Sequence, residues 1–165
     1  VRLIEEFPET VEVGAALRRA GLTVAVAESC TGGLLGAVLT AVPGSSDYMR
    51  GGVIAYADDV KAEHLGVSRH LLVTHGAVSE EVARAMAHGA RVRYGASTGV
   101  AITGVAGPGG ESSSKPAGLV YVAVETLSVT ECTRLHGDHG REENRSRAVH
   151  KALAMLLEVA GENAV

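Results

Sequence analysis

Residues 23–27, Thr-Val-Ala-Val-Ala, form an apolar run that reads as a buried strand, and it passes without a linker into Glu28-Ser29-Cys30-Thr31-Gly32-Gly33. Leu34-Leu35-Gly36-Ala37-Val38-Leu39 follows and reads as a helix of small residues. A strand delivered directly into a helix N-terminus is one step of a layered α/β fold. The same turn places a hydroxyl, a thiol and a second hydroxyl beside unpaired backbone N–H groups and the positive end of the helix dipole. That setting suits a nucleophile, an oxyanion hole or a phosphate cradle. The plainer alternative is that Ser29 or Thr31 only caps the helix.

The rest of the chain continues the alternation. Residues 52–56, 98–103 and 118–126 read as strands, with a weaker, alternating one near 129–136. Residues 9–20 read as a first helix stopped by Gly21, residues 68–72 as a short helical turn, and the segment from Ser79 as a longer helix closed by Gly95. Val149, Ala152, Leu153, Leu156, Leu157 and Ala160 repeat at helical spacing, with Gly161 expected just beyond the helix end. This order predicts a three-layer α/β/α sandwich whose mixed, mostly parallel sheet has about five strands, the last an antiparallel edge. At 165 residues, the chain is expected to form a single domain over residues 1–165. One Phe and no Trp leave the packing to aliphatic side chains.

Several function classes are disfavoured. A net charge of −4 supplies no global field for nucleic acid. No apolar run approaches the roughly 20 residues of a membrane span. Glu5, Glu6 and Glu9 interrupt any signal-like segment, so a cytoplasmic location is expected. Cys30 and Cys132 show neither metal-ligand spacing nor a disulfide framework, and the seven His lack paired helical spacing.

Among residues able to carry chemistry, Ser29 needs a base and a stabilised oxyanion before its hydroxyl can attack. Cys30 is a rival nucleophile, because helix N-termini lower thiol pKa values, or else a small buried hydrophobe. Tyr56 follows Gly51-Gly52-Val53-Ile54-Ala55, and Lys61 comes five residues later at a helix start. A lysine there is a base if burial depresses its pKa, and otherwise an ordinary solvated cation. Residues 104–117 form an irregular glycine-rich loop with Lys115, leaving the end of a strand where ligands of open α/β sheets gather. It is either a ligand cradle or a surface loop, and it matches neither the dinucleotide fingerprint nor the P-loop. Arg141, Arg145 and Arg147 open the last helix, where cations oppose the dipole, so an anionic partner or ion pairing with Glu142 and Glu143 is expected.

Taken together, Ala27-Glu28-Ser29-Cys30-Thr31-Gly32-Gly33, Pro43-Gly44-Ser45-Ser46, Gly51-Gly52-Val53-Ile54-Ala55-Tyr56, Lys61, Gly76-Ala77-Val78-Ser79, Thr103-Gly104-Val105-Ala106-Gly107-Pro108-Gly109-Gly110 and Lys115-Pro116-Ala117-Gly118 resemble the CinA C-terminal domain family. The resemblance runs in order over nearly the whole chain. It implies hydrolysis of nicotinamide mononucleotide (NMN) to nicotinate mononucleotide and ammonia, without metal or organic cofactor, by a homo-oligomer. It implies Ser29 as nucleophile with Tyr56 and Lys61 as catalytic partners, and helix-start N–H groups as the oxyanion hole. Cys30, Thr31, Gly32, Gly33, Thr103, Gly104, Gly107 and Arg145 are the implied substrate contacts. The alternative is a non-catalytic nucleotide- or partner-binding module of the competence and damage-inducible kind. A thiol hydrolase built on Cys30 is a third reading. Ala57-Asp58 stands where a Ser-Asn pair is common in the family, and a carboxylate there is expected to raise the Lys61 pKa.

Overall fold

The computed structural model describes residues 2–162. At its centre β1 (Val24–Glu28) is buried along its whole length, because it has a strand on each side and helices over both faces. β2 (Met49–Ile54) and β3 (Thr98–Gly104) pair with it in parallel. β4 (Val120–Glu125) pairs antiparallel with β3, and β5 (Thr130–Leu135) antiparallel with β4. The sheet order is β2-β1-β3-β4-β5, with β4 alone reversed. β5 is the antiparallel edge that the weak alternating pattern predicts.

Side-chain size sorts the two faces of the sheet. Val24, Val26, Val100, Ile102, Val122 and Val124 point into one core, with α2 (Glu9–Ala20), α3 (Leu34–Thr40) and α7 (Arg141–Glu162). Ala25, Ala27, Ala101 and Ala123 point into the other, against α4 (Asp58–Leu65), α5 (Arg69–His75) and α6 (Glu80–Arg93). The alanine face lets α6 approach closely. A Cβ added to Gly99 would lie 2.0 Å from the carbonyl oxygen of Ala87, well inside contact distance. On the other side the single Phe, Phe7, is fully buried just after the short α1 (Leu3–Glu6). Among the described residues, no helix is long and apolar enough to cross a membrane.

Three boundaries differ from the sequence reading. The strand expected at 52–56 is Met49–Ile54, half-buried at a sheet edge. The chain leaves the sheet after Ala55, whose N–H still reaches Glu28 O, because Asp58 and Asp59 open α4 in a geometry that complements its dipole. Tyr56 therefore ends no strand and is 57% exposed. At the other terminus α7 runs through Gly161 to Glu162. Its apolar face packs as far as Val159 and Ala160, and one helical glycine costs only about 1 kcal/mol. The irregular loop begins after Gly104, which belongs to β3.

Candidate active site

Glu28, the last residue of β1, organises the turn that carries Ser29. The residue is 1% exposed, and its carboxylate is the hub of the turn. It accepts hydrogen bonds from Thr31 Oγ1 (2.7 Å) and from the N–H groups of Leu35 (2.9 Å) and Gly36 (2.9 Å). A buried anion thus fills the N-terminus of α3, where the dipole favours it. Gly32 (φ +60°) and Gly33 (φ +100°) take the left-handed conformations that complete the turn. These contacts occupy the helix-start donors expected to hold an oxyanion. The N–H groups of Cys30 and Thr31, directly after Ser29, make no hydrogen bond to another described residue.

Ser29 is 7% exposed, and its own N–H is fixed to Ile102 O of β3 (2.9 Å). Lys61 reaches it from the second turn of α4. Lys61 Nζ lies 3.2 Å from Ser29 Oγ, 2.8 Å from Ala55 O and 3.2 Å from Tyr56 O, and the residue is 1% exposed. The two carbonyls can only accept. A neutral amine satisfies both with its two N–H bonds and turns its lone pair to the Ser29 hydroxyl. Burial pushes the Lys61 pKa down from 10.5, while Asp58 and then Cys30 pull it up. The expected effect of Asp58 is real in sign, and desolvation outweighs it.

Around this pair lies a cavity of about 270 Å³ lined by Cys30, Tyr56, Asp58, Thr103 and residues 104–107, with Ala77, Val78, Gly109, Gly110 and Arg141. Burial raises the Cys30 thiol to about 11, so it stays protonated and is a poor nucleophile near neutrality. Thr103 Oγ1 donates to Ala77 O (2.8 Å), fixing the segment that forms one wall. Tyr56 meets Lys61 through its carbonyl, not its hydroxyl, which accepts from an Arg141 Nη (3.2 Å).

Of the residues expected at the site, Ser29, Cys30, Tyr56, Lys61, Thr103, Gly104 and Gly107 share this cavity. Thr31, Gly32, Gly33 and Arg145 lie outside its lining. Thr31 is fully buried against Glu28, and Gly33 sits against Ile54. Arg145 spans the back of the turn, donating to Thr31 O (2.9 Å), with its Nε buried and unpaired. Arg141 takes its place at the cavity. It also donates to Gly107 O (3.1 Å), bridging α7 to the glycine-rich loop.

The helix start that aims Arg141 is built by Asp138 and Asn144. Asp138 accepts from Gly140 N–H and Asn144 Nδ2, contacts that hold its carboxyl below the usual range. Asn144 Nδ2 also reaches Ala106 O (3.0 Å), so the same amide docks the loop. Lys115 points elsewhere, donating to His75 O (3.0 Å) and Val78 O beside a second cavity.

Comparison with known proteins finds relatives over nearly the whole chain. Residues 8–160 match the family described as CinA C-terminal domain. A CinA-like protein of Gemmatimonas aurantiaca is 51% identical over 148 residues, covering 87% of this chain and 35% of its own length. Another, from Gloeobacter violaceus, is 50% identical over 144 residues, with coverages of 86% and 34%. The chain thus spans about a third of the length of these relatives. A solved competence/damage inducible protein from Agrobacterium tumefaciens superposes with TM-score 0.90 at 41% identity, covering 93% of this chain and 94% of that one. A CinA superfamily protein from Klebsiella pneumoniae gives 0.91 at 34% identity, with coverages of 95% and 98%. This chain belongs to the CinA C-terminal domain family.

Proposed function

We propose that the domain is an amidohydrolase that converts NMN to nicotinate mononucleotide and ammonia, using Ser29 as nucleophile and Lys61 as base. The observation that carries this reading is the buried 3.2 Å contact between Ser29 Oγ and Lys61 Nζ. Neutral Lys61 takes the Ser29 proton as Oγ attacks the carboxamide carbon. The developing oxyanion is met by the N–H group of Cys30, which lines the cavity directly after Ser29 and bonds to no other described residue. Lys61 returns the proton to the leaving nitrogen, releasing ammonia and an ester on Ser29. Water, activated by the same amine, then cleaves the ester and restores the hydroxyl.

Arg141 is the cavity's guanidinium, and two of its contacts are used by Tyr56 Oη and Gly107 O. Its remaining N–H groups suit the substrate phosphate. The purified protein is expected to release ammonia from NMN, and Ser29→Ala is expected to abolish the release. Equal trace release by both proteins rejects the reading. NMN binding without product then marks a non-catalytic nucleotide-binding module.

A further inference from the structure

Two side chains of opposite charge line the cavity wall. Asp58 is the first residue of α4, where the helix dipole favours its charge; it acts on Lys61 through space, and its carboxylate makes no hydrogen bond or ion pair with another described residue. Arg141 is the first residue of α7, where a cation works against the dipole of a 22-residue helix. Its bonds go to a tyrosine hydroxyl and a carbonyl, neither of which neutralises it. Although both side chains line one cavity, no ion pair joins them. Ser29 and Lys61 line the same cavity, and Lys61 can serve Ser29 as a base only while uncharged.

We propose that Asp58 and Arg141 select a charge-separated amide: a cationic ring attached to the scissile carboxamide, with an anionic group at the far end. The inference rests on the amidohydrolase reading and goes further, because it assigns a recognition role to a carboxylate on the first turn of α4. An N-alkylated pyridinium carboxamide carries its positive charge within the ring that bears the amide, so its charge enters the cavity with the reacting carbon. Asp58 faces that ring, and Arg141 holds the anion at the rim. An uncharged dihydropyridine ring of the same shape gains nothing from Asp58. Asp58 thus favours the oxidised nucleotide over the reduced one.

The test measures equilibrium binding by calorimetry in the full chain carrying Ser29→Ala, so that turnover does not intervene. The ligands are NMN and reduced NMN, which share every group except the ring charge. Asp58→Asn in this background is expected to lower the preference for NMN over reduced NMN about fivefold. Asp58→Glu, which keeps the charge, is expected to restore most of it. A structural role for Asp58 weakens both ligands together and leaves the ratio unchanged, which overturns the proposal. Ammonia release by the wild-type chain reports separately on hydrolysis. If NMN binds without turnover, the amidohydrolase reading fails while charge selection still stands or falls on the ratio. If neither nucleotide binds, both fall.

Discussion

Two lysines in this molecule do outwardly similar things, and their difference separates a base from a brace. Lys61 and Lys115 each send an amine-bearing side chain to a pair of main-chain carbonyls, Ala55 and Tyr56 for the first, His75 and Val78 for the second. Each also borders a cavity. Lys61 has a third neighbour, the Ser29 hydroxyl, which can donate as well as accept. It is also 1% exposed, and burial disfavours its charged form. The neighbours of Lys115 only accept, so its proton is never asked for and its bonds tie the glycine-rich loop to the segment between the cavities. Position in a cavity does not make a lysine a base. A partner with a proton to give, and exclusion of water, do.

The largest effect that could break this contrast comes from the pair itself. Ser29→Ala is expected to lower kcat by at least about a thousandfold. Lys61→Arg keeps a cation and its donors but cannot deprotonate, so a loss of about a hundredfold to ten-thousandfold is expected, with the fold retained by circular dichroism. Turnover by Lys61→Arg near the wild-type rate would show that Lys61 acts only as a donor, as Lys115 does.

Next in size is Glu28→Gln. The amide keeps the shape of the carboxylate but loses its charge, and one of the two side-chain acceptors becomes a donor facing an N–H. A stability loss of about 2–3 kcal/mol is expected from denaturant unfolding. Because Glu28 shapes the turn bearing Ser29, activity is expected to fall with it. Lys115→Met should cost about 1–2 kcal/mol and lower activity by less than about tenfold. If Lys115→Met stays folded and loses as much turnover as Lys61→Arg, the division between base and brace is wrong.

What the sequence disclosed follows from where the physical signal resides. The apolar run at 23–27 and the helical spacing from Val149 to Ala160 are periodic side-chain patterns, and both elements form where those patterns predict. The Ser29 turn was legible because two glycines and a strand-to-helix junction constrain it. The environment of Lys61 was not, since Ala55 O and Tyr56 O are backbone atoms that leave no mark on residue identity. Choosing Arg141 over Arg145 required the helix start, which Asp138 and Asn144 set through bonds between non-adjacent residues. A rotation of one turn along α7 separates an arginine in the cavity from one braced against Thr31. The role of Glu28 was hidden similarly: a carboxylate at a strand end reads as a motif letter until the three groups it binds are seen.

The smallest expected effect is also the most specific one, because it reads the protonation of Lys61 directly. Its pKa in the folded protein lies below 10.5, the ordinary value. Between those two values the unfolded chain holds the proton and the folded chain does not. Stability therefore rises with pH through that window and is complete above it. Activity rises along an acid limb centred on the folded-state pKa, since the neutral amine is the base and kcat/KM reports the ionisation in the free enzyme. Asp58 pulls the Lys61 pKa upward, so Asp58→Asn is expected to move the limb to lower pH. Lys115→Met should leave the limb where it is, because Lys115 belongs to the other cavity. An acid limb that ignores Asp58→Asn would mean that another group titrates there, and Lys61 would lose its claim to be the base.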